Sequence, residues 1–258
     1  MSNQDYLLSM HGICKNFGAV KANIDVDLNL SEGDILGLLG ENGAGKTTLM
    51  NILFGTYQAD KGKIVISGKQ SNIHSTADAL GLGIGMVHQH FHLVHRHTVL
   101  ENLLVGDPGR MGILDISGAH RRLLEIGHQF GLKLNPNSIV SELTIGEQQR
   151  LEIIKALFGD AKILILDEPT AVLTPLESEG LFEALRALAE VGMGIIFISH
   201  KLHEVIAVTN RIVVMRSGSV SALVNVPREV TKSDLARLMC GHELNPPKKT
   251  SSQLGDTL

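Results

Sequence analysis

The sequence has few of the features that mark secreted, metal-binding or membrane-spanning proteins. Its 258 residues include only two cysteines, Cys14 and Cys240, which fit neither a disulfide framework nor a metal-binding spacing and indicate a reducing cytosol. No apolar run approaches the roughly 18 residues that a membrane-spanning helix needs. We therefore expect a soluble chain, and any role at a membrane would depend on a partner. Residues 1–5 also lack the basic region of a secretory signal.

An excess of basic charge is missing as well. The net charge is −4, which argues against nonspecific binding of nucleic acid, so no nucleic acid is expected among the partners. We find no internal repeat. The length allows one large or two small domains, and the hydrophobic content of 43% is enough for a substantial core.

The most informative segment that is present, residues 40–48, reads GENGAGKTT. It follows an apolar run and precedes a helical pattern, and its spacing is that of a phosphate-binding loop, G-x-x-x-x-G-K-[ST]. The glycines let backbone N–H groups point at phosphate oxygens, Lys46 adds a positive charge, and the Thr47 hydroxyl can ligate Mg²⁺. An ordinary glycine-rich turn is the alternative, and the Lys-Thr pair argues against it. The residues expected to bind the nucleoside triphosphate are Gly40, Asn42, Gly43, Ala44, Gly45, Lys46, Thr47 and Thr48.

Two adjacent carboxylates follow a second apolar run, residues 163–166. This run predicts a strand buried on both faces in a parallel sheet, and ligands bind beyond the carboxyl ends of such strands. Neighbouring side chains leave a strand on opposite sides, so Asp167 and Glu168 should act differently. We assign Asp167 to Mg²⁺ and Glu168 to polarising the attacking water. A solvated turn after the strand is the alternative.

An amphipathic helix is predicted between these two segments, with Leu151, Ile154, Leu157 and Phe158 on its apolar side and Gly159 as a stop. Thr144 and Glu147 have the spacing of a capping box, which would by itself explain their presence. Gly146, in the first turn, would also let a phosphate of another molecule approach the backbone closely.

With these motifs in order, the chain resembles the ATP-binding subunits of ABC transporters. That family's signature, L-S-G-G-Q, is matched here by Leu143 and then by Thr144, Ile145, Gly146 and Glu147. The resemblance implies that these residues contact the nucleotide of a second domain. It also implies that Phe17 stacks on adenine, that Gln89 touches Mg²⁺ and the attacking water, and that His200 contacts the γ-phosphate. The resemblance covers nearly everything from about residue 5 to about residue 243.

The chain departs from the family pattern at Thr144, where serine is usual, and at Thr174, where the loop after the catalytic glutamate usually ends in aspartate. Both departures are similar to those in importers of sugars and nucleosides. In that subgroup one polypeptide usually carries two ATPase domains, the first with the more divergent signature. The segment 85–91 is more similar to the nucleoside branch than to the ribose branch.

The expected fold class is α/β: a P-loop NTPase core with an antiparallel β subdomain and an inserted helical subdomain. Residues 6–39 alternate as antiparallel strands do, with Ile24, Val26, Leu28 and Leu30 on one face. We place one nucleotide-binding domain at 1–243, with the helical subdomain at about 92–155. Residues 244–258, polar and proline-containing, are expected to form a linker or disordered tail. A linker of this kind suggests a second domain that is cut off or separately encoded.

Five histidines crowd one short segment: His88, His90, His92, His95 and His97. A zinc site is one interpretation of this composition. The absence of nearby cysteines favours the other, a polar loop around Gln89 that faces a transmembrane partner.

The resemblance implies an ATPase that powers import of nucleosides or sugars from the cytoplasmic face of the cell membrane. Its implied partners are ATP, transmembrane permease subunits, a second nucleotide-binding domain and, indirectly, an extracellular substrate-binding protein. A soluble ABC-type ATPase acting in translation or DNA repair is the alternative. Such proteins usually carry basic extensions or coiled-coil insertions, which this sequence lacks. A regulatory domain that does not hydrolyse ATP is disfavoured because Lys46, Asp167, Glu168 and His200 are all present.

Overall fold

The computed structural model describes residues 6–105, 115–225 and 231–240. The strands are β1 (Leu8–Phe17), β2 (Val20–Leu30), β3 (Ile35–Leu39), β4 (Lys61–Ile66), β5 (Lys69–Ser71), β6 (Ile84–Val87), β7 (Ile163–Asp167), β8 (Gly194–Ile198), β9 (Arg211–Arg216) and β10 (Ser219–Asn225). The helices are α1 (Lys46–Leu53), α2 (Thr76–Gly81), α3 (Val99–Leu104), α4 (Ile116–Gln129), α5 (Ile145–Phe158), α6 (Pro175–Glu190), α7 (Leu202–Val208) and α8 (Lys232–Cys240), with a 3₁₀ turn at Val140–Glu142.

A six-stranded, mostly parallel sheet forms the centre of the fold, in the order β10-β9-β3-β8-β7-β6. Every residue of β3, β7 and β8 is buried, as their continuous apolar sequences predict. Strands β3 and β8 are parallel, as are β8 and β7, so their carboxyl ends share one edge of the sheet. The phosphate loop, the Asp167–Glu168 pair and His200 follow these three strands, which brings them together.

A second, antiparallel sheet has the order β2-β1-β4-β5 and contains most of the predicted alternating segment. Val26, Leu28 and Leu30 are buried as expected, but Ile24 is 40% exposed. The prediction for Ile24 was wrong because Asp25 takes a left-handed φ of 50°, and the register between β1 and β2 shifts there. One extra residue at such a bulge reverses the side-chain alternation beyond it.

Helices α3 and α4 lie within the range predicted for the helical subdomain, α5 begins within it and ends three residues beyond it, and the three helices pack against one another. In α5, Leu151, Ile154 and Leu157 are buried as predicted. Its capping box is also confirmed: the Glu147 N–H donates to Thr144 Oγ1 at 3.2 Å, and the Thr144 N–H donates to Glu147 Oε2 at 2.8 Å. None of the helices in the described residues is long and apolar enough to cross a membrane. The predicted tail, 244–258, lies outside the described residues.

The hairpin formed by β9 and β10 turns at Ser217 and Gly218, and this turn supports the phosphate loop. The Gly218 N–H donates to the Ala44 carbonyl at 3.1 Å. The Gly218 carbonyl accepts from the Ile24 N–H at 2.8 Å, and Ser219 Oγ donates to the Ile24 carbonyl at 3.2 Å. One turn near the end of the described chain thus joins the antiparallel sheet to residue 44.

Candidate nucleotide-binding site

The phosphate loop enters helix α1 through a backbone conformation that only glycine adopts readily. Gly45 is the N-cap, with a φ of 100°. A β-carbon at this position would lie 2.3 Å from the Ala22 carbonyl oxygen and 2.8 Å from Asn23 Nδ2. No side chain caps the N–H groups at the N-terminus of α1, and its first turn contains no acidic residue; Asn23 Nδ2 only donates to the Gly45 carbonyl, at 3.1 Å. The N–H groups at this end are therefore available to an anionic ligand.

Lys46 is folded back over this loop. Its Nζ donates to the Gly40 carbonyl at 2.7 Å and to the Glu41 carbonyl at 3.0 Å, and the residue is only 8% exposed. Burial lowers the pKa of Lys46, while the nearby charges of Glu168 and Asp167 raise it. The lysine thus holds its ammonium group at the mouth of the loop on two neutral acceptors, which a phosphate could replace.

A cleft of about 460 Å³ joins the phosphate loop to the predicted catalytic residues. Most of its lining residues were identified from the sequence, while Glu41 and Met239 were not. Met239 belongs to α8, far along the chain, and only tertiary structure could place it here. The lining consists of Gly40, Glu41, Asn42, Lys46, Thr47, Gln89, Asp167, Glu168, His200 and Met239.

The two adjacent carboxylates line the same cleft, and not opposite sides as strand alternation would place them, because Glu168 lies beyond the end of β7; their environments still differ. Asp167 is the last residue of β7; burial raises its pKa, the Glu168 charge raises it further, and Lys46 opposes both. Glu168 leaves the strand with a left-handed φ of 50°. Its Oε1 lies 2.9 Å from His200 Nδ1, and its Oε2 has no hydrogen-bond partner among the described residues.

The donors in this cleft fit a magnesium ion. Asp167 supplies a carboxylate, Thr47 a hydroxyl and Gln89 an amide oxygen, and all three line the same space. Hard divalent cations prefer such oxygen ligands. These side chains could therefore hold Mg²⁺ beside a nucleotide.

Phe17 lies at the end of β1 and does not line this cleft. Its ring is 43% exposed and meets the Tyr57 ring edge-on, with centroids 5.2 Å apart. Lys15 Nζ lies 5.5 Å from the Phe17 centroid. The adenine contact of Phe17 stays a prediction, and Tyr57 is a neighbour that the sequence did not reveal.

The signature residues also lie away from the cleft, at the N-terminus of α5. A β-carbon at Gly146 would lie 2.4 Å from Glu177 Oε1, so a larger residue there would displace that carboxylate. The Glu177 carboxylate is held mainly by the Thr174 N–H (2.9 Å) and hydroxyl (2.8 Å). These bonds lower the pKa of Glu177, and the Arg150 charge and the Gly146 N–H lower it further. The Glu177 carboxylate thus accepts hydrogen bonds at the N-termini of both α6 and α5.

The histidine segment forms part of a separate groove of about 480 Å³, which includes His88, His92, Glu152 and Lys155. The rings of His88 and His92 meet edge-on at 4.8 Å. The His92 N–H donates to Glu152 Oε1 at 2.6 Å, and Lys155 Nζ donates to the His92 carbonyl at 3.2 Å. Within the described ranges no group of three His, Cys, Asp or Glu side chains could hold a metal ion, which favours the polar-loop interpretation.

The phosphate loop follows β3, and the carboxylate-bearing strand β7 lies two strands away in the same parallel part of the sheet. This arrangement defines the molecule as a P-loop nucleotide-binding domain. A family model described as ABC transporter matches residues 24–171. The chain belongs to the ABC transporter family.

Relatives and solved structures agree with this assignment. The chain is 44% identical to a nucleoside import ATP-binding protein, NupA, of Lactococcus lactis, over 95% of this chain and 48% of that protein. It is 43% identical to a glucose import ATP-binding protein, TsgD13, of Haloferax volcanii, over 92% of this chain and 48% of that protein. The crystal structure of an ATP-binding cassette of an ABC transporter in its ADP conformation aligns with a TM-score of 0.78 and 26% identity, covering 91% of this chain and 95% of that one.

The chain spans about half the length of these curated relatives. Both are named for import, not for translation or DNA repair, so the soluble alternative has no support from them.

Proposed function

We propose that the chain is the ATP-binding and ATP-hydrolysing part of an ABC importer for nucleosides or sugars. The observation that carries this proposal is the cleft that joins Lys46 on the phosphate loop to the Glu168–His200 pair. The nucleoside and glucose import relatives supply the direction and the class of cargo. We place the nucleotide-binding domain at 1–243, with the helical subdomain at about 92–155, and a linker or tail at 244–258.

The nucleotide's phosphates would lie on residues 40–48, against the N–H groups at the uncapped end of α1. Lys46 would exchange its bonds to the Gly40 and Glu41 carbonyls for the β- and γ-phosphates. Phe17, already half exposed, would stack on the adenine. Thr47, Gln89 and Asp167 would hold Mg²⁺, which neutralises phosphate charge when bound.

Hydrolysis would depend on Glu168, with His200 and Gln89. The unpartnered Oε2 of Glu168 is the atom that could accept a hydrogen bond, and then a proton, from the attacking water. His200, 61% exposed at its side chain, could turn from Glu168 to a γ-phosphate oxygen. Gln89 lines the same cleft and would orient the water.

A second nucleotide-binding domain would pair with this one head to tail. The signature residues Thr144, Ile145, Gly146 and Glu147 lie outside this chain's own cleft and would face the partner domain's ATP. ATP would then form much of the interface, so pairing would follow its binding and hydrolysis. Because Thr144 and Thr174 depart from the family pattern, we expect this chain to pair better with a different domain than with its own copy.

Permease subunits would dock at the groove that holds the histidine segment, placing the chain at the cytoplasmic face of the membrane. The groove has an apolar floor that includes Phe54, Met86 and Phe158. Gln89 follows this segment's His88 and also reaches the nucleotide cleft, so it could link the two sites. An extracellular binding protein would deliver cargo to the permease.

Replacing Glu168 with glutamine tests the proposed chemistry. Glu168→Gln keeps the shape and reach of the side chain but removes the basic oxygen. We expect normal ATP–Mg²⁺ affinity and hydrolysis at least about a hundredfold slower, the scale usual for loss of a general base. Calorimetry and phosphate release, with the second domain supplied, measure the two effects.

Glu179→Gln, an exposed change on α6, is the matched control and should retain wild-type turnover. If Glu168→Gln hydrolysed ATP as fast as the parent, the assignment of Glu168 would be wrong. Slow turnover by the isolated chain that rises when the second domain is added is also expected.

A further inference from the structure

The two loops that carry Glu168 and His200 are connected twice. On the cleft side their side chains meet at 2.9 Å. Behind them lies a second set of contacts, the buried tie, made by Thr170, Ser199, Lys201 and Glu204. Thr170 and Ser199 are fully buried and Glu204 is 4% exposed. The proposed catalytic mechanism gives these residues no role.

The carboxylate of Glu204, in the first turn of α7, is the centre of the buried tie. Its Oε2 accepts hydrogen bonds from the Thr170 hydroxyl and, at 3.3 Å, from the Ser199 hydroxyl. Its Oε1 pairs with Lys201 Nζ at 3.1 Å. The same lysine donates to the Thr170 carbonyl at 2.8 Å, and the Lys201 N–H donates to Ser199 Oγ at 3.1 Å.

These contacts fall next to the proposed catalytic side chains in sequence. Thr170 follows Glu168 by two residues, while Ser199 and Lys201 flank His200 on either side. The Glu168 backbone is held in a left-handed conformation that few non-glycine residues adopt, and its N–H donates to the Ile198 carbonyl at 3.0 Å. The backbone spacing of the two loops is therefore set by groups that never reach the cleft.

We propose that Glu204 is a positioning residue for ATP hydrolysis, which fixes the separation of Glu168 and His200 through Thr170 and Ser199. The inference rests on the proposed function. When a nucleotide binds, Glu168 must turn to water and His200 to phosphate, so their mutual contact is lost. The buried tie does not depend on that contact, so it keeps the distance between the two loops constant during the reaction. A displacement of about 1 Å can cost a reaction up to a hundredfold in rate.

Thr170 offers a cleaner test than Glu204, because removing the carboxylate would leave Lys201 and two hydroxyls without their partner. Thr170→Val keeps the shape of the side chain and removes only the hydroxyl. Thr170→Ser keeps the hydroxyl. We expect kcat to fall roughly tenfold in Thr170→Val and to stay within about twofold of wild type in Thr170→Ser, with the Kd for ATP–Mg²⁺ unchanged in both.

Thr209→Val is the matched control. The Thr209 hydroxyl is also buried and follows α7, but it donates at 2.8 Å to the Val205 carbonyl in the same helix and connects no loops. It should lower thermal stability about as much as Thr170→Val while leaving kcat unchanged. Equal losses of kcat in Thr170→Val and Thr170→Ser, or in Thr170→Val and Thr209→Val, would overturn the proposal.

A second readout does not need activity. In nucleotide-free protein, the imidazole NMR signal of His200 should move in Thr170→Val, since its spacing from Glu168 changes, and should return in Thr170→Ser. The signal of the neighbouring His203 should stay in place. An unmoved His200 signal in Thr170→Val would refute the proposal even in a chain that hydrolyses ATP. A chain that hydrolyses none would refute the proposed function, while this signal would still test the tie.

Discussion

Helices α1 and α5 both begin with a glycine-containing turn, but only the N-terminus of α5 is capped by side chains. The N-terminus of α1 has no side-chain cap and no acidic residue in its first turn, and it opens into the cleft beside Lys46. The N-terminus of α5 is closed by the Thr144–Glu147 capping box, and the Glu177 carboxylate lies against Gly146.

This difference separates a binding site from a contact surface. The first-turn N–H groups of any helix need acceptors, and a ligand can supply them only where side chains do not. At α1 those acceptors would be phosphate oxygens. At α5, carboxylates of the same chain already occupy part of that role, so an incoming phosphate must share the end with negative charge. We therefore expect tight nucleotide binding at α1 and a weaker contact, formed only on pairing, at α5.

Removing the positive charge at α1 should have the largest effect. Lys46→Ala is expected to weaken ATP–Mg²⁺ binding by about 10- to 150-fold, because a hydrogen bond to a charged group contributes roughly 1.5–3 kcal/mol. Calorimetry on the isolated chain measures this loss. Lys133→Ala, at an exposed position, is the control. A Lys46→Ala variant that bound ATP as well as its parent would disprove the placement of the phosphates.

A methyl group at the start of α5 should affect pairing and spare binding. Gly146→Ala places a β-carbon 2.4 Å from Glu177 Oε1, so the carboxylate must shift. We expect ATP-driven pairing with the second domain to weaken about tenfold, equivalent to ~1.4 kcal/mol. Sedimentation in the Glu168→Gln background measures pairing.

Gly180→Ala provides the control for this change, since a β-carbon there meets no atom within 4 Å. Its pairing should match that of the parent. The comparison between the two helix ends would fail if Gly146→Ala also lost ATP affinity in the isolated chain.

The capping threonine of α5 should make a smaller contribution that has a structural and a functional part. Thr144→Ala should cost about 1 kcal/mol of stability through loss of the cap, which corresponds to a fall in Tm of roughly 2–4 °C. Thr98→Ala removes the same capping box from α3 and should cost the same stability. Only Thr144→Ala should also weaken ATP-driven pairing with the second domain. If both variants paired equally well, Thr144 would act only as a helix cap.

The smallest effect expected is a shift in the pH at which Mg²⁺ affinity begins to fall. Mg²⁺ needs Asp167 as a carboxylate, and burial together with Glu168 raises the pKa of Asp167. Mg²⁺ affinity should therefore begin to fall at a higher pH than an ordinary aspartate would give. Glu168→Gln removes one cause, so the fall should move to lower pH, while ATP's own titration is the same in both proteins. Identical Mg²⁺–pH curves would contradict this account.

The sequence predicted the parts of the fold that local patterns encode. The α5 capping box and the buried strand β7 are confirmed because each depends on neighbours within a few residues. Ile24 was placed on the wrong face because the left-handed Asp25 interrupts an otherwise regular alternation.

What the sequence did not predict depends on contacts between distant segments. Glu204 and Thr170 are 34 residues apart, and no local pattern marks either as a partner of the other. Met239 reaches the cleft because α8 packs against α7, β9 and β10. The phosphate loop could be recognised from its own spacing, whereas the residues that hold the site's loops in place could not.

The hydrogen bonds of the Ser217–Gly218 turn also determine when the phosphate loop gains its support during synthesis of the chain. Residues 40–48 are synthesised before β9 and β10, and Ser219, whose hydroxyl bonds to the Ile24 carbonyl, comes 195 residues after Ile24. At the usual synthesis rate this is roughly 10–40 s of elongation. Until β9 and β10 leave the ribosome, the Ala44 carbonyl lacks the Gly218 N–H. A nascent chain should therefore acquire ATP affinity abruptly, when this late hairpin emerges, and not when its phosphate loop does.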